Sequence, residues 1–334
     1  MSPEEFVEEV RVERKFPENM PQEDKALFQG SLKAQFTKLP EWVLEDVFIL
    51  QDTVFSPKEL KFFAEHTHVK GLGAMPLGKR ILNCAVKKWR TIDHGIWIKD
   101  EWSANYFHWM TDCLPRIWTG LEKGVSDQVI LHQSYQMLPF VQQTLKLIGV
   151  KPVFYSSNEN LRVKKMVLTS RTAVFPHFNI PWTLKTREKL AKLNGKEPSK
   201  KVYVSRNLAP KRKVLNELEV ELLLRKRGFE IVYAENLSVK KQIELMAQTK
   251  LFVSLHGAAL SNMLFMHPGQ SVVEFRNFGD DKNQCYFNLA NALGLKYYYT
   301  LNEGTEKNTM LADFTVDLKA LESVLDSIEA KDSE

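Results

Sequence analysis

The spacing of apolar and polar positions divides the chain into an irregular first part and a regular remainder. Residues 1–50 keep little sustained period, and Pro3, Pro17, Pro21 and Pro40 break any long helix. Some of the first ~25 residues are expected to be poorly ordered. From Val47 to Trp97, short apolar runs (VFIL, VF, GLGAMPLGKR, GIWI) alternate with turn residues, which predicts irregular structure with short strands. NYFHWMTDCLPRIWTGLE, residues 105–122, begins as a helix that Pro115 ends or kinks.

Regular alternation starts at residue 128. QVILH reads as a strand, LPFVQQTLKLIG as an amphipathic helix stopped by Gly149, and PVFY and KKMVLTS as further strands. A charged helix over about 183–194 ends at Asn194-Gly195, and Gly195–Lys201 (GKEPSKK) is the best linker candidate. The same grammar then restarts. KVYVS is a strand, and Asn216 with Glu219 forms a capping-box-like start to a helix closed by Gly228. FEIVYA, LFVSL, SVVEF and KYYYTL are strands, separated by a helix capped by Ser238, a helix from HGAALSNMLFM and a helix from CYFNLANALG. Phe314, Leu318, Leu321, Leu325 and Ile328 at helical spacing predict a terminal helix that packs back. The pattern is α/β throughout, with an N-terminal domain over 1–195 (1–95 irregular or short-stranded) and a C-terminal domain over 196–334.

Composition changes this picture little. The 334 residues are 44% hydrophobic and 26% charged, with formal net charge +5. That is ordinary globular composition and too weakly basic to imply a nucleic-acid protein by itself. Cys84, Cys113 and Cys285 have neither metal-ligand spacing nor the numbers of a disulfide framework, which fits a reducing compartment. The start, MSPEEFVEEVRVERKF, lacks the apolar core of a signal peptide, and no apolar run reaches the ~18 residues of a spanning helix. A soluble chain, peripheral to a membrane at most, is expected. Charge placement says more. Residues 185–213 hold eleven basic and two acidic side chains, while both ends of the chain are acidic. This belt is either a solvated linker or the contact for an anionic partner.

Four places carry candidate chemistry. A buried strand ends at His256-Gly257-Ala258-Ala259, where small residues and helix-start amides favour close approach of an anion, with Asn262 six residues on from His256. The bland alternative is a tight turn with a structural histidine. Arg206 and Arg212 flank a loop after the strand KVYVS, and Asn216 opens the next helix. Arginine at a strand end suits bidentate phosphate recognition or, equally, a salt bridge. Glu274 reads as the end of SVVEF, where a carboxylate can bind ribose hydroxyls or simply meet solvent. His108 and Asp112 are four residues apart on one helix face, with Asn105 before them and Arg116 beyond. Such a pair tunes a general base, or forms a polar network that holds the neighbouring aromatics.

Taken together, YVSRNLAPKRKVLNE, the helix with Gln242, HGAALSNMLFMHPGQSVVEFR and NYFHWMTDCLPRIW resemble glycosyltransferase family 61, over roughly residues 95–300. A bacterial-type member is expected. The resemblance implies a GT-B-like fold: two Rossmann-like domains facing across a cleft, with the C-terminal one binding a nucleotide sugar. It implies inverting transfer, with Asp112 and His108 as the catalytic pair. Arg206, Arg212, Asn216, His256, Gly257, Ala258, Asn262 and Glu274 would lie on the donor side, and Asn105 and Arg116 by the acceptor or another anion. The donor is expected to be UDP-linked. The acceptor would be an oligosaccharide or glycolipid of a capsule, lipopolysaccharide or related surface glycan. With neither an anchor nor a signal read in the sequence, the resemblance implies a cytoplasmic enzyme, with peripheral contact at the inner membrane. No Asp-x-Asp occurs in the chain, so no metal or other cofactor is expected. The competing readings are a non-catalytic nucleotide- or glycan-binding protein of the same fold, a transferase using a CMP-activated acid sugar, and, distantly, a nucleic-acid-binding protein using the 185–213 belt. Nucleic acid is not the expected partner, because the belt lacks interleaved stacking aromatics.

Overall fold

The computed structural model describes residues 8–191, 193, 197–209, 211–280, 282–306 and 311–332. Strands β1 (Glu8–Glu13) and β2 (Lys33–Lys38) pair in a two-stranded sheet. The rest is organised in two compact units. One comprises Met1–Val10 and Phe36–Val174, the other Arg11–Gln35 and Phe175–Glu334. The boundary expected at 195/196 thus lies inside the second unit, because the helix Ile180–Leu190 belongs there. That helix buries Thr183, Thr186 and Leu190, and Leu293 O accepts a 3.1 Å hydrogen bond from Arg187. Its described span also starts and stops earlier than the expected 183–194. Asn194, Gly195 and Lys196, which carry the expected helix end and part of the linker, lie outside the described residues.

The first unit is built on a seven-stranded mixed sheet. Its strands are β3 (Trp42–Leu50), β4 (Thr53–Ser56), β5 (Lys61–Phe62), β6 (Lys88–Trp97), β7 (Gln128–His132), β8 (Lys151–Tyr155) and β9 (Glu159–Leu168), in the order β5-β4-β3-β9-β6-β7-β8. β9, β6, β7 and β8 run parallel, and β3 to β5 extend the sheet antiparallel. Val47, Ile49, Trp97, Ile130, Leu161, Val163 and Met166 share one buried cluster. These are the apolar runs of the sequence pattern, each hidden on the inner side of its strand. β6 and β9 end side by side, Trp97 beside Leu168. Residues 98–100 and 169–171 therefore leave the sheet together.

Two sequence expectations change in this unit. The helical stretch after β6 does not end at Pro115. A π-helical turn, Trp109–Cys113, precedes the helix Leu114–Glu122, so Pro115 falls in the first turn of that last segment. The helix continues through the proline because the wider π turn before it leaves room for the ring. The stretch read as irregular, GLGAMPLGKR, instead contributes to a 13-residue helix, Ala74–Val86. Pro76 sits in its first turn, where proline is tolerated, and Gly78 lowers helix propensity without preventing the helix.

The second unit carries a six-stranded sheet. Its strands are β10 (Lys200–Val204), β11 (Phe229–Val232), β12 (Thr249–Leu255), β13 (Ser271–Asn277), β14 (Lys296–Gly304) and β15 (Phe314–Thr315). The order is β11-β10-β12-β13-β14-β15, all parallel except the short edge strand β15. Phe314 thus belongs to a strand, and the terminal helix is Leu318–Lys331, with Leu321, Val324, Leu325 and Ile328 buried. Its N-cap is Asp317, whose Oδ1 accepts from the amides of Lys319 and Ala320. Residues 11–35 join this unit because Phe28 packs against Phe287 and Tyr299, both at 5.0 Å between ring centroids. The 185–213 belt is spread over a helix, a strand and a loop. Lys200 pairs with Glu230 and Lys201 with Glu329, so part of its charge is neutralised within the protein.

Candidate active site

In the second unit, β10 has β11 on one side and β12 on the other, and the chain leaves β10 and β12 in opposite directions. In open parallel sheets, such a switch point opens a crevice beyond the strand ends, where ligands bind. Arg206 follows β10 and His256 follows β12, at this crevice. The Arg206 guanidinium donates to Arg212 O (Nε, 3.3 Å) and Lys211 O (Nη2, 3.1 Å). Arg212 Nη1 donates to His256 O at 3.1 Å, from a residue held at φ 57°, a left-handed conformation uncommon outside glycine. Among the described residues, neither arginine is bonded to a carboxylate. Burial lowers the Arg206 pKa, and the neighbouring Arg212 charge lowers it further. Two cations held together by backbone carbonyls form a site that an anion would relieve.

Gly257 explains how closely they pack. A Cβ at this position would lie 2.3 Å from Arg206 Nη1, so the guanidinium lies directly on the glycine backbone. Ala258 opens a run of 3-10 turns, Ala258–Phe265, where an α-helix was expected. Asn262 is buried, and its Nδ2 donates to Gln242 Oε1 at 2.8 Å, tying this run to the helix Val239–Met246.

Glu274 differs from its expected position. β13 continues to Asn277, so Glu274 lies in mid-strand and is wholly buried. It accepts hydrogen bonds from His256 Nδ1 and the Tyr297 hydroxyl, with Arg276 Nη1 3.7 Å away. Burial alone would raise its pKa, but His256 and Arg276 outweigh this and hold it below the ordinary value. Both of its oxygens are thus engaged inside the protein, one by His256 and the other by Tyr297. On the other ring edge, Asn283 Nδ2 lies 2.8 Å from His256 Nε2, and the Tyr286 ring meets the imidazole edge-on. Asn216 also departs from the donor role. Its amide donates to Val316 O and accepts from Val316 N, both at 2.9 Å, so it fastens the C-terminal segment.

In the first unit the chemistry gathers where β6 and β9 end. His108 Nδ1 and Asp112 Oδ2 are 2.7 Å apart, joined across the π-helical turn. Asn105 caps this helix, its Oδ1 accepting from Phe107 N. Arg171, the third residue beyond β9, places Nη1 3.0 Å from Asp112 Oδ2 and donates Nε to Asp100 Oδ2 at 2.9 Å. Its guanidinium lies 4.8 Å above the Trp102 ring, and that ring also meets His108. Arg116, expected near an acceptor or anion, is instead fully buried. It donates to Thr169 Oγ1, Thr169 O and His66 O, with Asp100 at 3.4 Å. It locks the two strand ends together.

The sequence reading missed Arg171 and Asp100. A signal for Arg171 existed: Ser170-Arg171 leaves β9 as Ser205-Arg206 leaves β10. Tyr286 and Tyr297 lie in segments read only as helix and strand, Asn283 lies between such segments, and Arg276 ends the quoted motif HGAALSNMLFMHPGQSVVEFR without having been singled out.

One α/β unit thus carries two arginines beside a histidine at its sheet switch point, and the other a histidine–carboxylate pair at its strand ends. Residues 106–273 match the family model described as Glycosyltransferase 61, and the chain belongs to that family. Among curated proteins, the EGF domain-specific O-linked N-acetylglucosamine transferase of Bos taurus is 33% identical over 91 residues, which cover 26% of this chain and 17% of that protein. Glycosyl transfer is the activity these matches support. The chain spans less than a fifth of that relative's length.

Proposed function

We propose that this protein is an inverting glycosyltransferase of GT-B type that uses a UDP-linked donor and works without an essential metal. The observation that carries this reading is the Arg206–Arg212–His256 cluster on Gly257, two guanidiniums bonded to backbone carbonyls and, among the described residues, to no carboxylate, at a parallel-sheet switch point. They would neutralise the diphosphate as it leaves, the role a divalent ion plays in other transferases. The first unit would supply the base. Asp112 is held by both His108 and Arg171, an arrangement that suits it to fix the tautomer of His108, with His108 as the base. The acceptor hydroxyl would give its proton to His108 as its oxygen bonds the anomeric carbon. The bond from that carbon to the diphosphate oxygen breaks, and its electron pair leaves with UDP. The acceptor would be a surface glycan, lipid-linked or free, met on the cytoplasmic side.

The test is isothermal titration calorimetry with UDP, GDP and CMP, each with EDTA and with magnesium, followed by a transfer assay starting from UDP-N-acetylglucosamine. Binding of UDP alone, indifferent to EDTA, is the expected result. Binding that requires magnesium, or CMP in preference to UDP, overturns the donor reading.

A further inference from the structure

The helix Ala74–Val86 has its polarity inverted. A helix on a protein surface ordinarily buries its apolar stripe and shows water its charges. Here Met75, Leu82 and Val86 are 86%, 74% and 80% exposed, and with Lys79 they form one stripe at i, i+4, i+7 and i+11. Ala74, Gly78, Ile81 and Ala85, all exposed, widen it. The buried residue of this helix is Arg80, which donates to Asp52 Oδ1 at 2.5 Å and to Pro76 O at 3.0 Å. Asn160 Nδ2 donates to Asn83 O and Trp89 Nε1 to Cys84 O, so polar contacts hold the inner side. Trp89, just beyond the helix, is 43% exposed.

Charge identifies the occupant. From His66 to Ile92 the sequence has no acidic side chain and six basic ones. Two of these are paired, Arg80 with Asp52 and Arg90 with Glu159. Lys70, Lys79, Lys87 and Lys88 remain around the exposed face, with no ion pair among the described residues. A second copy of this chain would bring those lysines against their equals. A bilayer surface bearing anionic headgroups accepts both the apolar stripe and the cations. We infer that this helix is an in-plane docking element for an anionic membrane surface. It is separate from the residues proposed to carry transfer, and the inference stands whatever the donor is.

The experiment is co-sedimentation of the full chain with vesicles of phosphatidylcholine alone or with added phosphatidylglycerol. Two variants accompany it: the triple Met75→Glu, Leu82→Glu, Val86→Glu, and the double Lys87→Glu, Lys88→Glu. Far-ultraviolet circular dichroism and a thermal melt check folding, which substitutions at exposed positions leave intact. Binding to phosphatidylglycerol vesicles is expected, abolished in the triple variant and lowered roughly tenfold or more in the double variant. No vesicle binding, or binding unchanged in the folded triple variant, overturns the inference. So does a wild-type dimer by light scattering that the triple variant dissolves, because the face would then be an interface between copies.

Discussion

The Glu274 carboxylate, wholly buried in mid-strand, accepts a hydrogen bond from Nδ1 of His256, at the end of the neighbouring strand β12. This contact fixes the orientation of the imidazole, whose other nitrogen lies 2.8 Å from Asn283 Nδ2. Glu274→Gln keeps the volume and removes the charge. Removing one member of a buried charge cluster costs roughly 3–5 kcal/mol, so the melting temperature should fall. A purely structural role would stop there. A positioning role also weakens UDP binding by the folded protein, by about tenfold for each ~1.4 kcal/mol lost. The sign of the acid response follows from the lowered folded-state pKa. Its stabilisation is present above the ordinary glutamate range and is lost as pH falls through the folded pKa. Acid unfolding of wild type should therefore be steeper below about pH 4.5 than that of Glu274→Gln. Calorimetric Kd values and melts from pH 3 to 7 check both statements.

Gly257→Ala tests the close packing of Arg206 without touching a charge. The added methyl would meet the far end of the Arg206 side chain, which can swing away. The fold should lose no more than ~1 kcal/mol. UDP affinity should fall clearly, because the guanidinium leaves its place. Unchanged affinity in a stable Gly257→Ala protein would mean that Arg206 does not touch the ligand.

The α/β grammar from residue 128 onward was legible because buried parallel strands are short apolar runs with turn residues at both ends. His256 and Arg206 could be picked out for the same reason, as polar residues that directly follow such strands. Glu274 was misplaced because β13 continues through Arg276 and Asn277, two polar residues that end a strand in most readings. Both are buried: Arg276 is satisfied by Tyr297 and the Asp280 carbonyl, a long-range arrangement no local pattern displays. The helix Ala74–Val86 was missed because its apolar residues face outward around a glycine and a proline. The role of Arg116 was misread because helical spacing gives the face of a side chain, and not what closes over it.

The His108–Asp112–Arg171 cluster predicts a division between binding and turnover. His108→Ala should lower kcat by about 10²–10⁴, the usual contribution of a general base, with UDP affinity unchanged. Asp112→Asn should also abolish transfer while leaving donor binding intact, since Asp112 bonds His108 and Arg171. Arg171→Met should reduce turnover less than either. Loss of UDP binding in a folded His108→Ala or Asp112→Asn protein would move this cluster to the donor side, and full activity in both would remove it from the mechanism.

Lys99 gives the sharpest pH signature. It is buried, its ammonium stands 4.6 Å from the centre of the Trp97 ring, and burial pushes its pKa down to about 8 despite the opposing charges of Asp52 and Asp100. The unfolded chain keeps the ordinary lysine value near 10.4. Between these two values the unfolded state binds a proton that the folded state has lost, so folding stability rises with pH across that window. At ~1.4 kcal/mol per unit the gain is of order 3 kcal/mol. Below pH 8 the full penalty of a buried ammonium is present. Lys99→Met fills much the same space without the charge, so it should melt higher than wild type at pH 7. The difference should shrink as pH rises from 8 to 10, where wild type sheds its own penalty. Tyrosines titrating at the alkaline end affect both proteins alike, so the difference between the two melting curves isolates Lys99. A Lys99→Met protein less stable than wild type at pH 7 would show instead that the ammonium's attraction to Trp97, Asp52 and Asp100 exceeds the cost of burying it.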